Sequence, residues 1–243
     1  MKRWMVYGLV ALLVIENVLA AGVVARKGGW RWLARQWHRA AHGAPNTGLM
    51  VGIFEACPNS TEDVYLVGDS LTAFACWSEL IPGHRVCNRG VPGDTTAAIL
   101  ARLNEVTEGR PRVVAIMAGI NDLLAGRTAP ETIDGLREIV RRIREACPET
   151  RIVLQSVLPV NPAIYDAVTR PYHPEACQPT TQQVSAINAA LQDLMGPGIV
   201  YLDLWPAMTR CGELREEYTL DGVHVNGAGY LAWASEVRPI IEP

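Results

Sequence analysis

Gly68-Asp69-Ser70-Leu71 lies directly behind a short β-rich run, residues 63–67. A serine at such a strand-to-helix turn carries its hydroxyl to the carboxyl edge of a sheet. Backbone N–H groups at the following helix N-terminus can there stabilise an oxyanion. The same tripeptide also suits a plain turn with a serine N-cap. Towards the other end of the chain, Asp221-Gly222-Val223-His224 supplies a histidine, the usual base for a serine, and a carboxylate to orient it. Their spacing lets one loop present both. His38, His42, His84 and His173 have no such setting, and His224 taken alone could cap a helix.

Two further turns hold potential donors. Asn88-Arg89-Gly90-Val91-Pro92-Gly93-Asp94-Thr95 has glycines that let backbone approach a ligand closely, although an ordinary glycine-rich turn reads the same way. Gly119-Ile120-Asn121-Asp122 follows a fully apolar run, and an Asn amide can donate to an oxyanion or simply form an Asx-turn cap. A serine, two donor turns and Asp-x-x-His, each at a strand end, are harder to obtain by accident than any one alone.

The elements that must position these residues alternate. Residues 63–67, 85–88, 112–117, 151–158 and 199–204 read as strands, most of them without the alternation of a half-exposed sheet. Residues 71–80, 95–108, 130–147, 182–195 and 228–240 read as helices, with apolar side chains at three- and four-residue spacing. This pattern predicts one doubly wound, flavodoxin-like α/β/α domain with a five-stranded parallel sheet, order 2-1-3-4-5 and right-handed crossovers. The site then belongs beyond the carboxyl ends of the strands. Residues 159–181 form an unusually long connection after the fourth strand, with five prolines, Tyr165, Tyr172 and His173, and are placed to overhang that edge.

The chain of 243 residues is 49% hydrophobic and 19% charged, with mean hydropathy +0.09, which excludes a disordered or fibrous protein. Its charge is uneven. Residues 1–45 carry seven basic side chains against Glu16 alone, a net +6, while the remainder carries 15 basic and 24 acidic residues, a net −9. The acidic body argues against a nucleic-acid partner. No CxxC pair, HExxH, calcium loop or P-loop is present, so neither metal nor other cofactor is expected.

Lys2 and Arg3 precede an apolar run over residues 5–15, and Val18-Leu19-Ala20 fits a cleavage site, so residues 1–25 read as a signal peptide or, uncleaved, a membrane anchor. Residues 30–41 place Trp30, Leu33, Ala34, Trp37 and Ala41 on one helical face and Arg31, Arg35 and Arg39 on another. Such a segment suits a lipid surface or packs on the body. The expected organisation is 1–25 leader or anchor, 26–58 basic amphipathic segment and linker, and 59–243 the α/β domain. The even number of cysteines (Cys57, Cys76, Cys87, Cys147, Cys177, Cys211) suits an oxidising compartment, although buried free thiols are the competing reading. Basic residues after the apolar run favour the cytoplasmic side instead. An exported or membrane-associated protein is the expectation, with the cytoplasmic face as alternative.

Over about residues 63–240 the sequence resembles the SGNH (GDSL) hydrolases. The four blocks are Gly68-Asp69-Ser70-Leu71, residues 88–95, Gly119-Ile120-Asn121-Asp122 and Asp221-x-x-His224. The resemblance implies a Ser70 nucleophile, His224 base and Asp221 orienter. It also implies an oxyanion hole from the Ser70 N–H, the Gly93 N–H and the Asn121 side chain, with Gly90 in reserve for Gly93. Val225 stands where many members have proline. The run over residues 88–96 looks most like the subgroup related to carbohydrate O-acetylesterases, platelet-activating-factor-acetylhydrolase-like esterases and lysophospholipases.

The function expected on this basis is a serine esterase acting on small acyl, chiefly acetyl, esters of a small-molecule, glycan or lipid alcohol. The alternatives are acyl transfer by the same triad and a catalytically silent membrane-tethered binding module.

Overall fold

The computed structural model describes residues 47–57 and 59–242. The chain divides into residues 1–48 and 49–243, and the second unit holds the sheet and the candidate site. The leader or anchor expected over residues 1–25 and the amphipathic segment over 30–41 lie outside the described residues. Among the described residues no helix is long and apolar enough to cross a membrane.

Helix α1 (Thr47–Ala56) occupies part of the stretch expected to be a linker. Phe54 from this helix is buried, with the Arg89 guanidinium 5.0 Å from its ring centre. The α/β unit therefore begins ahead of residue 59.

Five strands follow: β1 (Val64–Gly68), β2 (Val86–Gly90), β3 (Val113–Met117), β4 (Arg151–Gln155) and β5 (Ile199–Leu202). They form one parallel sheet in the order β2-β1-β3-β4-β5, as expected. Every residue of β1 and β3 is buried, which is why these runs are continuously apolar rather than alternating. Each such Val, Leu or Ile contributes roughly 1.5–3 kcal/mol by leaving water.

Two predicted helices are each broken in two. Residues 71–80 resolve into α2 (Ser70–Ala73) and α3 (Trp77–Leu80). The break is made by side chains: Asn88 Nδ2 donates to the Ala73 and Ala75 carbonyls, and Trp77 Nε1 to that of Thr72. Residues 95–108 resolve into α4 (Thr96–Ala101) and α5 (Asn104–Thr107), interrupted where Arg102 turns its side chain inward. After β3 come α6 (Ile120–Leu124) and α7 (Ala129–Ala146), whose start is fixed by a Thr128/Glu131 capping box.

Strand β4 stops at Gln155, short of the predicted residue 158. Beyond it side chains take over the backbone: Asn188 brackets Val157 N and O, and Ser156 Oγ accepts from Leu204 N. The long connection contains α8 (Pro162–Ile164) continued by one π-helical turn, Tyr165–Thr169, and leads into α9 (Thr181–Gln192). After β5, α10 (Trp205–Met208) precedes a small hairpin of β6 (Thr209–Arg210) and β7 (Glu213–Leu214), which the sequence reading did not anticipate. Helix α11 (Gly227–Ile241) closes the fold. Its Tyr230 and Trp233 pack on Trp77 of α3, and Trp233 Nε1 donates to Gln155 at the end of β4.

All six cysteines are free thiols, the competing reading of their even number. Cys147 is buried, with its thiol donating to the Thr107 carbonyl, Cys87 lies within β2, and four are exposed.

Candidate active site

Sheet register brings three turns together. Gly68, the last residue of β1, pairs with Gly90 of β2 on one side and Met117 of β3 on the other. The segments carrying Ser70, Gly93 and Asn121 thus leave adjacent strands at the same edge, with Ser70 in the middle. Glycine is required at two of the strand ends by crowding. A Cβ on Gly68 would lie 2.5 Å from the Met117 carbonyl, and one on Gly90 would lie 2.4 Å from Ala73 N.

Ser70 heads α2, and Asp69 caps it by accepting from Leu71 N at 2.9 Å. Ser70 Oγ stands 2.9 Å from His224 Nε2, and His224 Nδ1 stands 2.6 Å from Asp221 Oδ2. The other carboxylate oxygen of Asp221 accepts from the backbone N–H groups of Val223 and His224, at 2.9 and 2.7 Å. An ionised carboxylate only accepts, so it fixes the proton on Nδ1 and leaves Nε2 to receive the Ser70 hydroxyl proton. Burial alone would raise the Asp221 carboxyl. The hydrogen bonds from His224 and from the Val223 backbone outweigh it and hold the pKa at about 2. The same hydrogen bond raises His224 above the usual imidazole value, against the opposing effect of burial.

The loop bearing this pair is tied at both flanks. Thr219 Oγ donates to the His224 carbonyl and accepts from Gly222 N, and Thr219 bridges to Val225. Gly222, at φ +86°, packs so closely on the connection after β4 that a Cβ would lie 2.4 Å from Tyr165 N. Asn161 N donates to the Gly222 carbonyl, and the Thr169 hydroxyl donates to that of Asp221 at 2.6 Å. The same connection touches α6, where Cys177 N donates to the Leu124 carbonyl. The long connection therefore fastens the Asp–His loop and the Asn121 helix to one another.

The donor turns are also joined. Asn121 Nδ2 gives one hydrogen to the Asp94 carbonyl at 3.0 Å, which leaves its second hydrogen available next to Gly93. Gly93 sits exposed at φ +86°. Gly90, the reserve candidate, has its N–H engaged by Asn88 Oδ1 and is buried under α2.

Beneath these turns lies a buried ionic cluster that the sequence reading missed. Arg102 donates to Asp94 Oδ2 and to Glu105 Oε1, each at 2.6 Å, and to the carbonyls of Gly68 and Arg89. Arg89 contacts the other Glu105 oxygen and covers the Tyr65 ring at 4.4 Å. Burial pushes both Asp94 and Glu105 up, against the pull of Arg102. One guanidinium thus anchors the ends of β1 and β2 and the residue after Gly93. The signal in the sequence was an arginine at a position expected on a helix near its apolar face.

The model of the GDSL-like lipase/acylhydrolase family matches residues 66–232. The chain belongs to this family. It is a carboxylic ester hydrolase. It is 29% identical over 176 residues to the human platelet-activating factor acetylhydrolase IB subunit alpha1, covering 69% of this chain and 70% of that protein. Two solved structures share its fold. One is a GDSL-like lipase from Bacteroides thetaiotaomicron, with TM-score 0.63, 20% identity and coverage of 81% of this chain and 97% of the other. The other is a family 3 carbohydrate esterase from Clostridium thermocellum, with TM-score 0.55, 19% identity and coverage of 74% and 94%. The matched residues include Ser70, Asp221 and His224, which form the hydrogen-bonded series described above. Among the described residues no group of three or more His, Cys, Asp or Glu side chains is arranged to hold a metal ion.

Proposed function

We propose that this ester hydrolase is a serine esterase acting through Ser70, His224 and Asp221, with an acyl-enzyme intermediate and a preference for acetyl esters. The observation that supports it is the continuous hydrogen-bonded series of 2.9 and 2.6 Å from Ser70 Oγ through His224 to Asp221.

In the first half-reaction Ser70 Oγ bonds to the ester carbonyl carbon while its proton passes to His224 Nε2. The carbonyl oxygen becomes an oxyanion that the N–H groups of Ser70 and Gly93 and the Asn121 amide are placed to stabilise. Collapse breaks the bond to the alcohol oxygen, which takes the proton back from Nε2. Water then repeats the sequence on the acyl-enzyme, giving its proton to Nε2, and release of the acid returns the proton to Ser70. Asp221 stays ionised throughout and stabilises the imidazolium. The acetyl group is proposed because matched relatives are named acetylhydrolases.

The amino-terminal 41 residues extend the proposal to a protein delivered to, or held at, a membrane, on the strength of their apolar run and Trp/Arg faces alone. Mass spectrometry of the mature N-terminus and salt or detergent release from membranes test that part.

The esterase reading is tested on the full chain with a series of p-nitrophenyl esters and a fluorophosphonate probe. Acetate should be the best acyl group, the probe should label Ser70, and Ser70→Ala should lose on the order of 10⁴–10⁶ in kcat. Near-normal turnover by a folded Ser70→Ala variant overturns the mechanism. Product analysis with a carbohydrate acceptor distinguishes hydrolysis from transfer.

A further inference from the structure

Phe74 caps the helix that begins with Ser70, and its amide donates to the Ser70 carbonyl. Its ring lies against the His224 imidazole, centroids 5.4 Å apart and tilted by 43°, yet 59% of the residue is exposed. A large aromatic side chain left in water beside His224 forgoes the stabilisation that burial would bring. The surroundings repeat the pattern. Leu220, immediately before Asp221, is 74% exposed. Val168 is also exposed, and its neighbour Thr169 is hydrogen-bonded to Asp221. Leu220 and Val168 are thus exposed apolar neighbours in sequence of residues that build the Asp221–His224 loop, while the ring that touches His224 is that of Phe74. Scattered apolar residues are normal on a surface, but an exposed ring packed on the imidazole that faces Ser70 is placed to meet a bound ligand.

The chemistry of the site says which part of a substrate meets them. His224 must hand a proton to the departing alcohol oxygen, so the alcohol lies on its side, while the acyl carbonyl points to the donors at Ser70, Gly93 and Asn121. We infer that Phe74, with Leu220 beside the acid, forms an apolar wall for the alcohol portion of the ester, and that the enzyme selects esters of apolar alcohols over esters of polyhydroxylated ones. The inference rests on the serine-esterase reading and adds a specificity-determining residue to it.

Acetates of methyl, hexyl and benzyl alcohol share an acyl group and differ in the size and apolarity of the alcohol. The wild type should favour hexyl and benzyl acetate over methyl acetate, and over a singly acetylated sugar, in kcat/KM. Phe74→Ala should narrow the hexyl-to-methyl ratio about tenfold, chiefly through KM, since an apolar contact of this kind is worth about ten- to two-hundredfold in discrimination. Phe74→Leu should restore part of the ratio. Preference among methyl acetate, propionate and butyrate should be the same in all variants. Met195, exposed ahead of β5 at the opposite edge of the sheet, supplies the control: Met195→Ala should leave every ratio unchanged. A hexyl-to-methyl ratio unaffected by Phe74→Ala, a change in acyl preference instead, or faster turnover of the sugar acetate overturns the assignment. Loss of Ser70-dependent hydrolysis for every ester tested points instead to failure of the esterase reading itself.

Discussion

The hydroxyl of Thr169 donates a 2.6 Å hydrogen bond to the backbone carbonyl of Asp221. Thr169 ends the single π-helical turn of the chain's long connection, and Asp221 begins the loop that presents His224. The contact acts on the position of the acid and not on its carboxylate, whose oxygens are engaged by the Val223 and His224 backbone and the His224 ring.

Thr169→Val, which keeps the shape and removes the donor, should lower kcat about tenfold with a smaller change in KM. A misplacement of the order of 1 Å at reacting groups has effects of this size or larger. Thr169→Ser should restore most of the rate. Steady-state kinetics on one acetate ester check this, and equal losses in the Val and Ser variants would show that packing and not the hydrogen bond matters.

Asp221→Asn should lower kcat by about 10⁴, because an amide can turn its N–H toward Nδ1 and favour the wrong tautomer. The remaining activity should have a displaced pH dependence. The Asp221 hydrogen bond raises the His224 pKa, and the proposed mechanism needs neutral His224, so wild-type kcat/KM should rise with pH through a value above the usual imidazole range. Without the carboxylate that limb should move to lower pH. A pH–rate profile of both proteins decides it.

Asn121→Ala should reduce kcat by about 10²–10³ and leave KM nearly unaltered, as expected for a donor used mainly in the transition state. The loss has a second source, since Asn121 also holds the Asp94 carbonyl beside Gly93. Asn121→Asp, which keeps the shape but supplies no N–H at neutral pH, should be at least as slow. A change confined to KM would place Asn121 in ground-state binding.

Asp69 predicts a pH-dependent stability. Complete burial drives its carboxyl up to about pH 7, although Leu71 N–H and His224 act to lower it. Between the ordinary carboxylate range and about pH 7 the folded protein binds more protons at this position than the unfolded chain. Stability from this group therefore falls as pH rises through that window. Asp69→Asn retains an acceptor for Leu71 N and carries no charge. It should melt higher than the wild type at pH 8.5 by the equivalent of on the order of 1–4 kcal/mol, with the advantage shrinking towards pH 5. Melting curves at the two pH values measure this.

The strand order and the four site blocks were legible in the sequence because each has a local signature. The central strands are apolar runs, and Ser70 and Asn121 stand in the turns after β1 and β3; Asp221-x-x-His224 is a compact four-residue block, although it follows the β6–β7 hairpin and not a strand of the sheet. What was not legible depends on partners distant in the chain. The helix break after Ala73 comes from Asn88, the shortened β4 from Asn188, and the inward turn of Arg102 from carbonyls of Gly68 and Arg89. Each competes with helical periodicity or strand propensity, and a tertiary hydrogen bond overrides both. Residues 159–181 were marked only by length and proline content, which say nothing about which loop they fasten. Phe74 fell inside a predicted helix, where an apolar residue reads as core.

Ser70 leaves the ribosome 154 residues ahead of His224. The His224 loop is held over Ser70 from two sides, by Asn161 and Thr169 of the connection after β4 and by the final helix, with Tyr230 donating to the Leu71 carbonyl and Trp233 to Gln155. A nascent or prematurely terminated chain can therefore assemble most of its sheet and still carry an unactivated serine.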